Sequence, residues 1–307
     1  MDTLRTTLAT THHGLDRRCY PMRLWEKAKR WGIWNPSELD FEQDRADWQR
    51  LDERERDLLL RLTAQFAGGE ESVTIDLLPL LGVMAQEGRI EEELFLTSYL
   101  WEEAKHVDAF GRFLEEVVGV TGGLEDYFTD AYRRLFFEEQ PRALQRLRVD
   151  ASPLALAEAS VTYQMITEGV LAETGYHAYY TVLQKAGMMP GMQQLVRLVQ
   201  RDESRHIGYG IFLLSRLVAE HGEPLWEVIE ARMTHLLSLP IQHIEETLAP
   251  YGTSIPFGVR ADDFLSFGMA QFQKRYARIE KARRLTLDEV CYGAADGGVA
   301  DGAGEET

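Results

Sequence analysis

The segment YLWEEAKHVDAF, residues 99–110, has a counterpart in VQRDESRHIGYG, residues 199–210. Each segment contains one Glu-x-x-His motif, and the four motif residues are Glu103, His106, Glu203 and His206. On a helix, a spacing of three places both side chains on one face, close enough to share a metal ion. One such tetrapeptide occurs easily by chance. Both motifs, however, stand where the helical repeat calls for apolar residues, so they predict side chains that face a core.

Two further glutamates interrupt apolar helical stripes in the same way. Glu70 lies between Phe66 and Val73 in one predicted helix, and Glu168 interrupts the stripe of another. A single inward histidine is more often a hydrogen-bonded core residue, and a single glutamate is often solvated. Burying six such groups together is costly unless cations hold them. The arrangement matches a dimetal carboxylate bundle, whose predicted ligands here are Glu70, Glu103, His106, Glu168, Glu203 and His206.

Long stretches with few prolines and glycines favour helices over strands. We predict an all-α fold with a four-helix-bundle core and additional N- and C-terminal helices. The predicted helices cover residues 51–86, 90–118, 124–146, 153–187, 190–220, 224–248 and 260–283. The expected organisation is a peripheral segment of short helices and loops (1–50), a helical dimetal domain (51–285) and a disordered acidic, glycine-rich tail (286–307).

The balance of charge excludes some partners. With 50 acidic and 33 basic side chains, the formal net charge is −17. Such a chain is repelled by phosphate backbones and anionic membranes, so nucleic acid is an unfavourable partner. No apolar run approaches the length of a membrane span. The two cysteines, Cys19 and Cys291, form neither a disulfide framework nor a zinc motif, so we expect a reducing cytoplasm.

Charged residues beside the motifs have their own interpretations. Three glutamates fall off the apolar stripes and are either solvated or support the ligands from behind: Glu71, Glu102 and Glu173. Glu92 and Lys105 also lie off the stripes, and we predict that they face solvent. Asp202, directly before Glu203, either orients a ligand histidine through its free ring N–H or makes a surface salt bridge.

The donor atoms limit the choice of metal. Carboxylate oxygens and imidazole nitrogens suit iron, manganese or zinc, and the excess of carboxylates favours iron or manganese. The residues alone do not distinguish manganese from iron.

The ligand order and the segment Arg-Asp-Glu-x-x-His at residues 201–206 resemble the ribonucleotide reductase small-subunit superfamily. The resemblance extends over roughly residues 50–220 and implies a ferritin-like bundle and a homodimer. Two departures argue against a working reductase subunit. Phe110 stands seven residues after Glu103, where the superfamily usually has its radical tyrosine. The last fifteen residues also contain no aromatic side chain that could relay a radical to a large subunit.

The sequence is more similar to the ligand-binding oxidase branch of that superfamily. This branch has a glutamate as its first ligand, a valine three residues later and a tyrosine five residues before the third ligand. Those positions are Glu70, Val73 and Tyr163 here. Without the resemblance, Val73 is simply a core valine and Tyr163 a buried tyrosine. With it, an ether cross-link between Val73 and Tyr163 is expected, as is a long-chain fatty acid whose carboxylate reaches the metals.

The resemblance also implies a manganese/iron pair, with a di-iron pair as the alternative. Manganese would be held by Glu70, Glu103 and His106. Iron would be held by Glu168, Glu203 and His206, with Glu103 as a bridge.

We therefore predict a dimetal oxidase that activates dioxygen for a two-electron oxidation. The substrate would be the Val73–Tyr163 pair or a bound lipid-like molecule. One alternative is a radical-generating subunit for nucleotide reduction. Another is a non-catalytic protein that binds fatty acid or handles iron.

Overall fold

The computed structural model describes residues 7–293, and every regular element in that range is helical. The α-helices are α1 (Ala9–His12), α2 (Tyr20–Trp31), α3 (Glu42–Arg50), α4 (Glu53–Asp76), α5 (Leu78–Gln86), α6 (Ile90–Phe113), α7 (Asp130–Arg133), α8 (Gln140–Arg146), α9 (Pro153–Ser160), α10 (Glu173–Ala186), α11 (Pro190–His221), α12 (Glu223–Leu236), α13 (Ser238–Leu248), α14 (Ala261–Lys281) and α15 (Leu287–Tyr292). π-Helical stretches cover Leu114–Val118, Arg134–Glu139 and Val161–Ala172. Short 3-10 turns cover Pro36–Glu38, Glu125–Tyr127, Ala249–Tyr251, Pro256–Gly258 and Ala282–Arg284. The predicted all-α fold is confirmed.

Two of the helical segments that carry predicted ligands begin where the sequence supplies caps. At the start of α4, the Asp52 side chain accepts from the backbone N–H of Glu55, and the Glu55 side chain accepts from that of Asp52. Pro153 is the first residue of α9, where a missing N–H costs nothing, and Ser152 accepts from the N–H of Ala155. Among residues 7–293, no helix combines the length and hydrophobicity needed to cross a bilayer.

The helix predicted over residues 51–86 is divided. It breaks at Leu77 into α4 and α5, with Pro79 in the first turn of α5. Proline has no backbone N–H and its ring clashes with the preceding turn, so an α-helix does not continue through it undisturbed. The break leaves Glu70 and Val73 in the last two turns of α4.

The segment predicted as one helix over residues 153–187 is continuous but not uniform. Between α9 and α10, residues Val161–Ala172 are π-helical, and this stretch contains Tyr163 and Glu168. π-Helical turns are rare and are concentrated at functional sites. The wider turn changes which side chains face the bundle interior.

The N-terminal segment contributes to the core. Helix α2 packs along α6 and α11. Its Tyr20 and Leu24 belong to the same apolar cluster as Val73 and Tyr163. The segment therefore covers the outer sides of the two helices that carry the Glu-x-x-His motifs.

The C-terminal prediction needs a correction. Disorder from residue 286 is wrong for α15, because Thr286 and Glu289 form a capping box at its start. Val290 of this helix is only 4% exposed and packs in the main core. The rest of the predicted tail, residues 294–307, lies outside the described residues.

Candidate metal centre

The six predicted ligands lie together in the interior, each at most 6% exposed. Their ligand atoms form two groups, and within each group all atoms lie within 4.8 Å of one another. The first group contains Glu70, Glu103, His106 and Glu203, and the second contains Glu103, Glu168, Glu203 and His206. Because Glu103 and Glu203 belong to both groups, the structure creates two adjoining positions able to hold cations.

Glu103 stands between the two histidines. Its Oε1 lies 3.1 Å from Nδ1 of His206, and its Oε2 lies 3.6 Å from Nδ1 of His106. Nδ1 of His106 is also 3.4 Å from Oε2 of Glu70 and 3.3 Å from Oε1 of Glu203. Turning one oxygen toward each histidine is the orientation that a carboxylate needs to bridge two ions.

The other ring nitrogen of each histidine faces a carboxylate. Nε2 of His106 lies 3.4 Å from Oδ2 of Asp202, and Nε2 of His206 lies 2.8 Å from Oε2 of Glu102. A ring N–H donated to a carboxylate fixes the tautomer and leaves the second nitrogen as a lone pair. Asp202, at 0% exposure, is therefore not part of a surface salt bridge, and its contact with Nε2 of His106 fits the alternative in which it orients that histidine.

The atoms that face the two positions have no hydrogen-bond partner in the described structure. They are Oε2 of Glu103, Nδ1 of His106, Oε2 of Glu168, Oε2 of Glu203 and Nδ1 of His206. Buried polar atoms are nearly always satisfied in native proteins. Unpartnered carboxylate and imidazole atoms around one point therefore fit metal ions as their partners, and this donor set suits iron or manganese.

The pKa values of the centre diverge strongly. Burial raises the pKa of Glu70 to about 8 and raises that of Glu168 well above its usual range. Burial also opposes ionisation of Glu103, but the neighbouring imidazoles of His106 and His206 outweigh it and lower the pKa of Glu103 to about 2. Ligands must be deprotonated to bind metal, so cations that enter this centre displace protons.

Asp202 connects the centre to the N-terminal segment. Its Oδ2 accepts from the indole N–H of Trp34 at 2.7 Å and from Nζ of Lys105 at 3.1 Å, and its Oδ1 accepts from Arg205 at 2.5 Å. The prediction that Lys105 faces solvent is wrong, since it is 6% exposed. The loop after α2 covers this side of α6, and Nζ of Lys105 donates to the carbonyl of Gly32 at 2.6 Å.

The remaining off-stripe charges differ in their surroundings. Glu92 was also expected in solvent but is buried, where it accepts from Tyr209 at 2.9 Å and lies 3.4 Å from Nε of Arg216. Glu71 is exposed. Glu173 is mostly buried beside Arg275. Helical periodicity distinguishes charges that face the bundle interior from all other charges. It does not distinguish solvated charges from buried ion pairs.

Glu102 supports His206, and we expect Glu102→Gln to weaken metal binding at the second group about 10- to 100-fold. Glutamine keeps the shape but accepts the ring N–H of His206 less strongly than a carboxylate does. Anaerobic titration with Mn(II) or Fe(II) measures the affinity. Glu115→Gln, at an exposed site after α6, is the matched control and should bind like the native protein. An unchanged affinity for Glu102→Gln would show that Glu102 does not position the histidine.

Tyr163 and Val73 both lie next to the centre. The hydroxyl of Tyr163 donates to Oε1 of Glu103 at 3.3 Å, and the side chain is fully buried. Val73 is 4% exposed and belongs to the same core cluster. Phe110 stacks on Phe66 with ring centroids 5.2 Å apart and offers no hydroxyl at the superfamily's radical position.

Two contacts of the centre were not predicted. The hydroxyl of Tyr99 donates to Oε1 of Glu168, and its ring stacks on His206 with centroids 3.6 Å apart. Tyr99 stands four residues before Glu103 on the same helical face, and this spacing could have indicated that Tyr99 faces the centre. Trp34 gave no comparable signal, because its contact with Asp202 depends on how the N-terminal segment folds back.

An apolar cavity adjoins the centre. Glu70, Glu168 and Glu203 form part of its wall. Its lining along α4 runs from Leu58 to Val73, which is about 22 Å of helix at 1.5 Å per residue. Most of the remaining wall comes from residues 167–182 and from α13. The cavity is therefore long, mostly apolar, and polar where it meets the ligands.

Comparison with known proteins gives consistent matches. Residues 22–279 match the protein family described as "Ribonucleotide reductase, small chain". The R2-like ligand-binding oxidase from Sulfolobus acidocaldarius is 33% identical, with a TM-score of 0.86 over 94% of this chain and 99% of that one. An R2-like ligand-binding oxidase with an aerobically reconstituted Mn/Fe cofactor is 35% identical, with a TM-score of 0.86 over 89% of this chain and 97% of that one. These matches confirm the predicted ferritin-like fold.

Proposed function

Because this chain belongs to the ribonucleotide reductase small-chain family, we propose that it is a dimetal oxidase that activates dioxygen next to a bound acyl chain. Family membership and the buried carboxylate–histidine centre make the protein a dimetal oxidoreductase. The observation that supports the more specific activity is the position of the two ligand groups at the wall of a long apolar cavity.

We propose a manganese/iron pair, since similar oxidases with that cofactor share a third of this sequence. Manganese would be held by Glu70, Glu103 and His106, and iron by Glu168, Glu203 and His206, with Glu103 bridging. When bound, such ions supply the redox chemistry for reducing dioxygen. The chain supplies the ligand geometry, the hydrogen bonds from Asp202 and Glu102 to the histidines, and a site without bulk water.

The proposed cross-link joins Val73 and Tyr163. A C–H bond of Val73 and the O–H bond of Tyr163 break, and a C–O bond forms. This releases two protons and two electrons, and dioxygen accepts the electrons. Burial first, and then the charges of Glu103 and Glu168, raise the pKa of Tyr163 well above its usual range, so its proton needs an acceptor. Oε1 of Glu103, 3.3 Å from the hydroxyl, accepts its hydrogen bond and holds that proton in place until the reduction of dioxygen takes it up.

The proposed ligand is a long-chain fatty acid. Its carboxylate would lie at the end of the cavity lined by Glu70, Glu168 and Glu203, where bound cations would compensate its charge. Its alkyl chain would lie along α4 toward Leu58, against leucine and phenylalanine side chains. Burying a chain of this kind contributes about 0.8 kcal/mol per methylene group.

The alternative of a radical generator for nucleotide reduction is less well supported. The ring of Phe110 occupies the place of a radical tyrosine and is fully buried between apolar neighbours. A phenyl ring has no O–H to lose, so it does not form a stable radical by proton-coupled oxidation.

Aerobic loading with Mn(II) and Fe(II) tests the proposal. We expect one manganese and one iron per chain. We also expect a peptide in which the Val73 and Tyr163 fragments are joined, lighter by two hydrogens than their sum. The Tyr163→Phe variant is the control, because it keeps the ligands and cannot form the ether. Separate, unmodified peptides after oxygen exposure would exclude the cross-link, and two irons per chain would favour the di-iron alternative.

We also propose a homodimer in the cytoplasm. The dimer follows the superfamily resemblance. The compartment is consistent with Cys19 and Cys291, neither of which forms a disulfide.

A further inference from the structure

Tyr99 contacts two predicted ligands of the second group at once. Its hydroxyl donates to Oε1 of Glu168, and its ring stacks on His206 with centroids 3.6 Å apart and planes 19° from parallel. The side chain is fully buried. Because the ring and the hydroxyl are both held, the O–H group of Tyr99 has a fixed position relative to Glu168.

The hydroxyl of Tyr99 makes the two oxygens of Glu168 unequal. Oε1 accepts from Tyr99, whereas Oε2 has no hydrogen-bond partner among residues 7–293. A carboxylate binds a metal ion through one oxygen or through both. A cation at this position therefore finds Oε2 free, but it competes with an O–H group for Oε1.

Glu70, the corresponding glutamate of the first group, has different surroundings. A nearby hydroxyl, Oγ1 of Thr74, donates to the main-chain carbonyl of Glu70 at 2.8 Å and not to its carboxylate. Oε2 of Glu70 lies 3.4 Å from Nδ1 of His106, which is itself a predicted ligand atom. A cation that binds Nδ1 takes the place of that contact. The two groups are thus alike in residue type, but a tyrosine hydroxyl restrains the carboxylate in the second.

The number of oxygens that Glu168 offers decides how many positions of the second ion stay open. Four residues form this group, and each offers one ligand atom. Manganese sites rich in oxygen ligands are typically octahedral. Single donors from these four residues would leave roughly two positions of such an ion open, and a second oxygen from Glu168 would fill one of them.

We propose that Tyr99 is a positioning residue that limits Glu168 to one-oxygen binding and so keeps a position of the second ion open for a small ligand. The inference rests on the two-metal centre of the proposed function, but not on the acyl chain, the cross-link or the identity of the metals. A ligand for this position is small and has a lone pair or a negative charge, as azide does. Dioxygen is the small molecule that the proposed function brings to the same centre.

Crystal structures of the Mn(II)-loaded protein test the proposal directly. Tyr99→Phe removes the hydroxyl but keeps the ring that stacks on His206. In the native protein we expect Oε2 alone of Glu168 to bind the second ion, and in Tyr99→Phe we expect both oxygens to bind it. Binding through both oxygens in the native protein would overturn the proposal, as would binding through one oxygen in the variant.

Azide titration of Co(II)-loaded, delipidated protein measures the open position in solution. The visible absorption of Co(II) changes when azide binds, and Co(II) needs no oxidation to report it. We expect Tyr99→Phe to bind azide about tenfold more weakly than the native protein, because no hydrogen bond then keeps the second oxygen of Glu168 from the ion. An azide affinity in the variant that equals or exceeds the native one contradicts the proposal.

Tyr179→Phe is the matched control for a lost buried hydroxyl. Tyr179 is 1% exposed, and its hydroxyl bonds to Oγ1 of Thr63 at 2.8 Å, away from the ligands. This variant should keep the native azide affinity and one-oxygen binding by Glu168. The same changes in Tyr179→Phe as in Tyr99→Phe would count against a specific role of Tyr99. If Tyr99→Phe does not fold, Tyr99→Met makes the comparison with a flexible apolar side chain.

Failure of the proposed function gives a different result. If the native protein binds neither Mn(II) nor Co(II) at the second group, the two-metal centre falls and this inference falls with it. If both metals bind there and Tyr99→Phe behaves like the native protein, the inference alone falls.

Discussion

The Glu70→Gln variant is expected to be more stable than the native protein without metal and unable to hold the first ion. Burial raises the pKa of Glu70 to about 8, from 4.5 for the solvated group. At pH 7 the folded chain therefore keeps a proton that the unfolded chain has released. Glutamine resembles the protonated acid but never ionises. The variant should thus gain about 3 kcal/mol in the free energy of unfolding at pH 7, the roughly 2.5 pH units between 4.5 and 7 at about 1.4 kcal/mol each.

The pH dependence follows from the same linkage. Below pH 4.5 both states hold the proton, and Glu70 contributes no pH dependence. Between pH 4.5 and 8 the folded state binds more protons than the unfolded state, so the native free energy of unfolding falls as pH rises. The advantage of Glu70→Gln should therefore shrink as pH is lowered from 7 toward 4.5. Urea denaturation of chelator-treated protein at several pH values measures it.

Metal affinity should fall in the same variant, although its stability without metal rises. Glu70 belongs to only one of the two ligand groups, and an amide is a weak ligand for iron or manganese. We expect affinity for the first ion to fall about 100-fold or more, since even supporting residues contribute 10- to 100-fold. Glu71→Gln, the exposed neighbour, should change neither stability nor binding. A metal-free Glu70→Gln protein that is less stable than native would mean that Glu70 is ionised and stabilised by His106.

The six predicted ligands could be selected from the sequence because each breaks a local pattern. Glu70, Glu103, Glu168 and Glu203 occupy positions that the helical repeat assigns to apolar side chains. That signal requires only residues within a few turns of each other. The structure adds their convergence into two groups with shared members.

The buried charges behind the ligands could not be predicted in this way. Glu92, Glu102 and Lys105 lie on faces of α6 that look polar in sequence. Whether such a face meets water depends on what covers it, and here the N-terminal segment supplies Gly32 and Trp34 from about seventy residues away. Periodicity describes one helix at a time, so it contains no information about such distant partners.

Irregular backbone is the other feature that local patterns missed. Residues 161–172 contain no proline, and their apolar spacing is compatible with an ordinary α-helix. The π-helical stretch found there packs against α11, α12 and α14, which are distant in sequence. Tyr163 and Glu168 were nevertheless identified correctly as inward residues, because both remain buried.

The second large effect concerns Asp202, whose replacement by alanine should lower the free energy of unfolding by about 3–5 kcal/mol. Burial opposes its ionisation, but His106, Arg205 and Lys105 hold the pKa of Asp202 well below its usual range. Alanine leaves Lys105 buried, and within the described residues its remaining hydrogen-bond acceptor is the backbone carbonyl of Gly32. Urea denaturation of metal-free protein at pH 7 measures the loss.

Two comparison variants distinguish the cost of leaving Lys105 buried without its carboxylate partner from the cost of losing any carboxylate. Asp202→Asn keeps an acceptor for Trp34, so it should cost less than Asp202→Ala. Asp108→Ala removes an exposed carboxylate on the same helix as Lys105, where it pairs with Arg112 at 3.1 Å. Exposed pairs contribute about 1 kcal/mol or less. If Asp202→Ala were as mild as Asp108→Ala, water would have to reach Lys105, and the N-terminal segment would not seal this side of the metal centre.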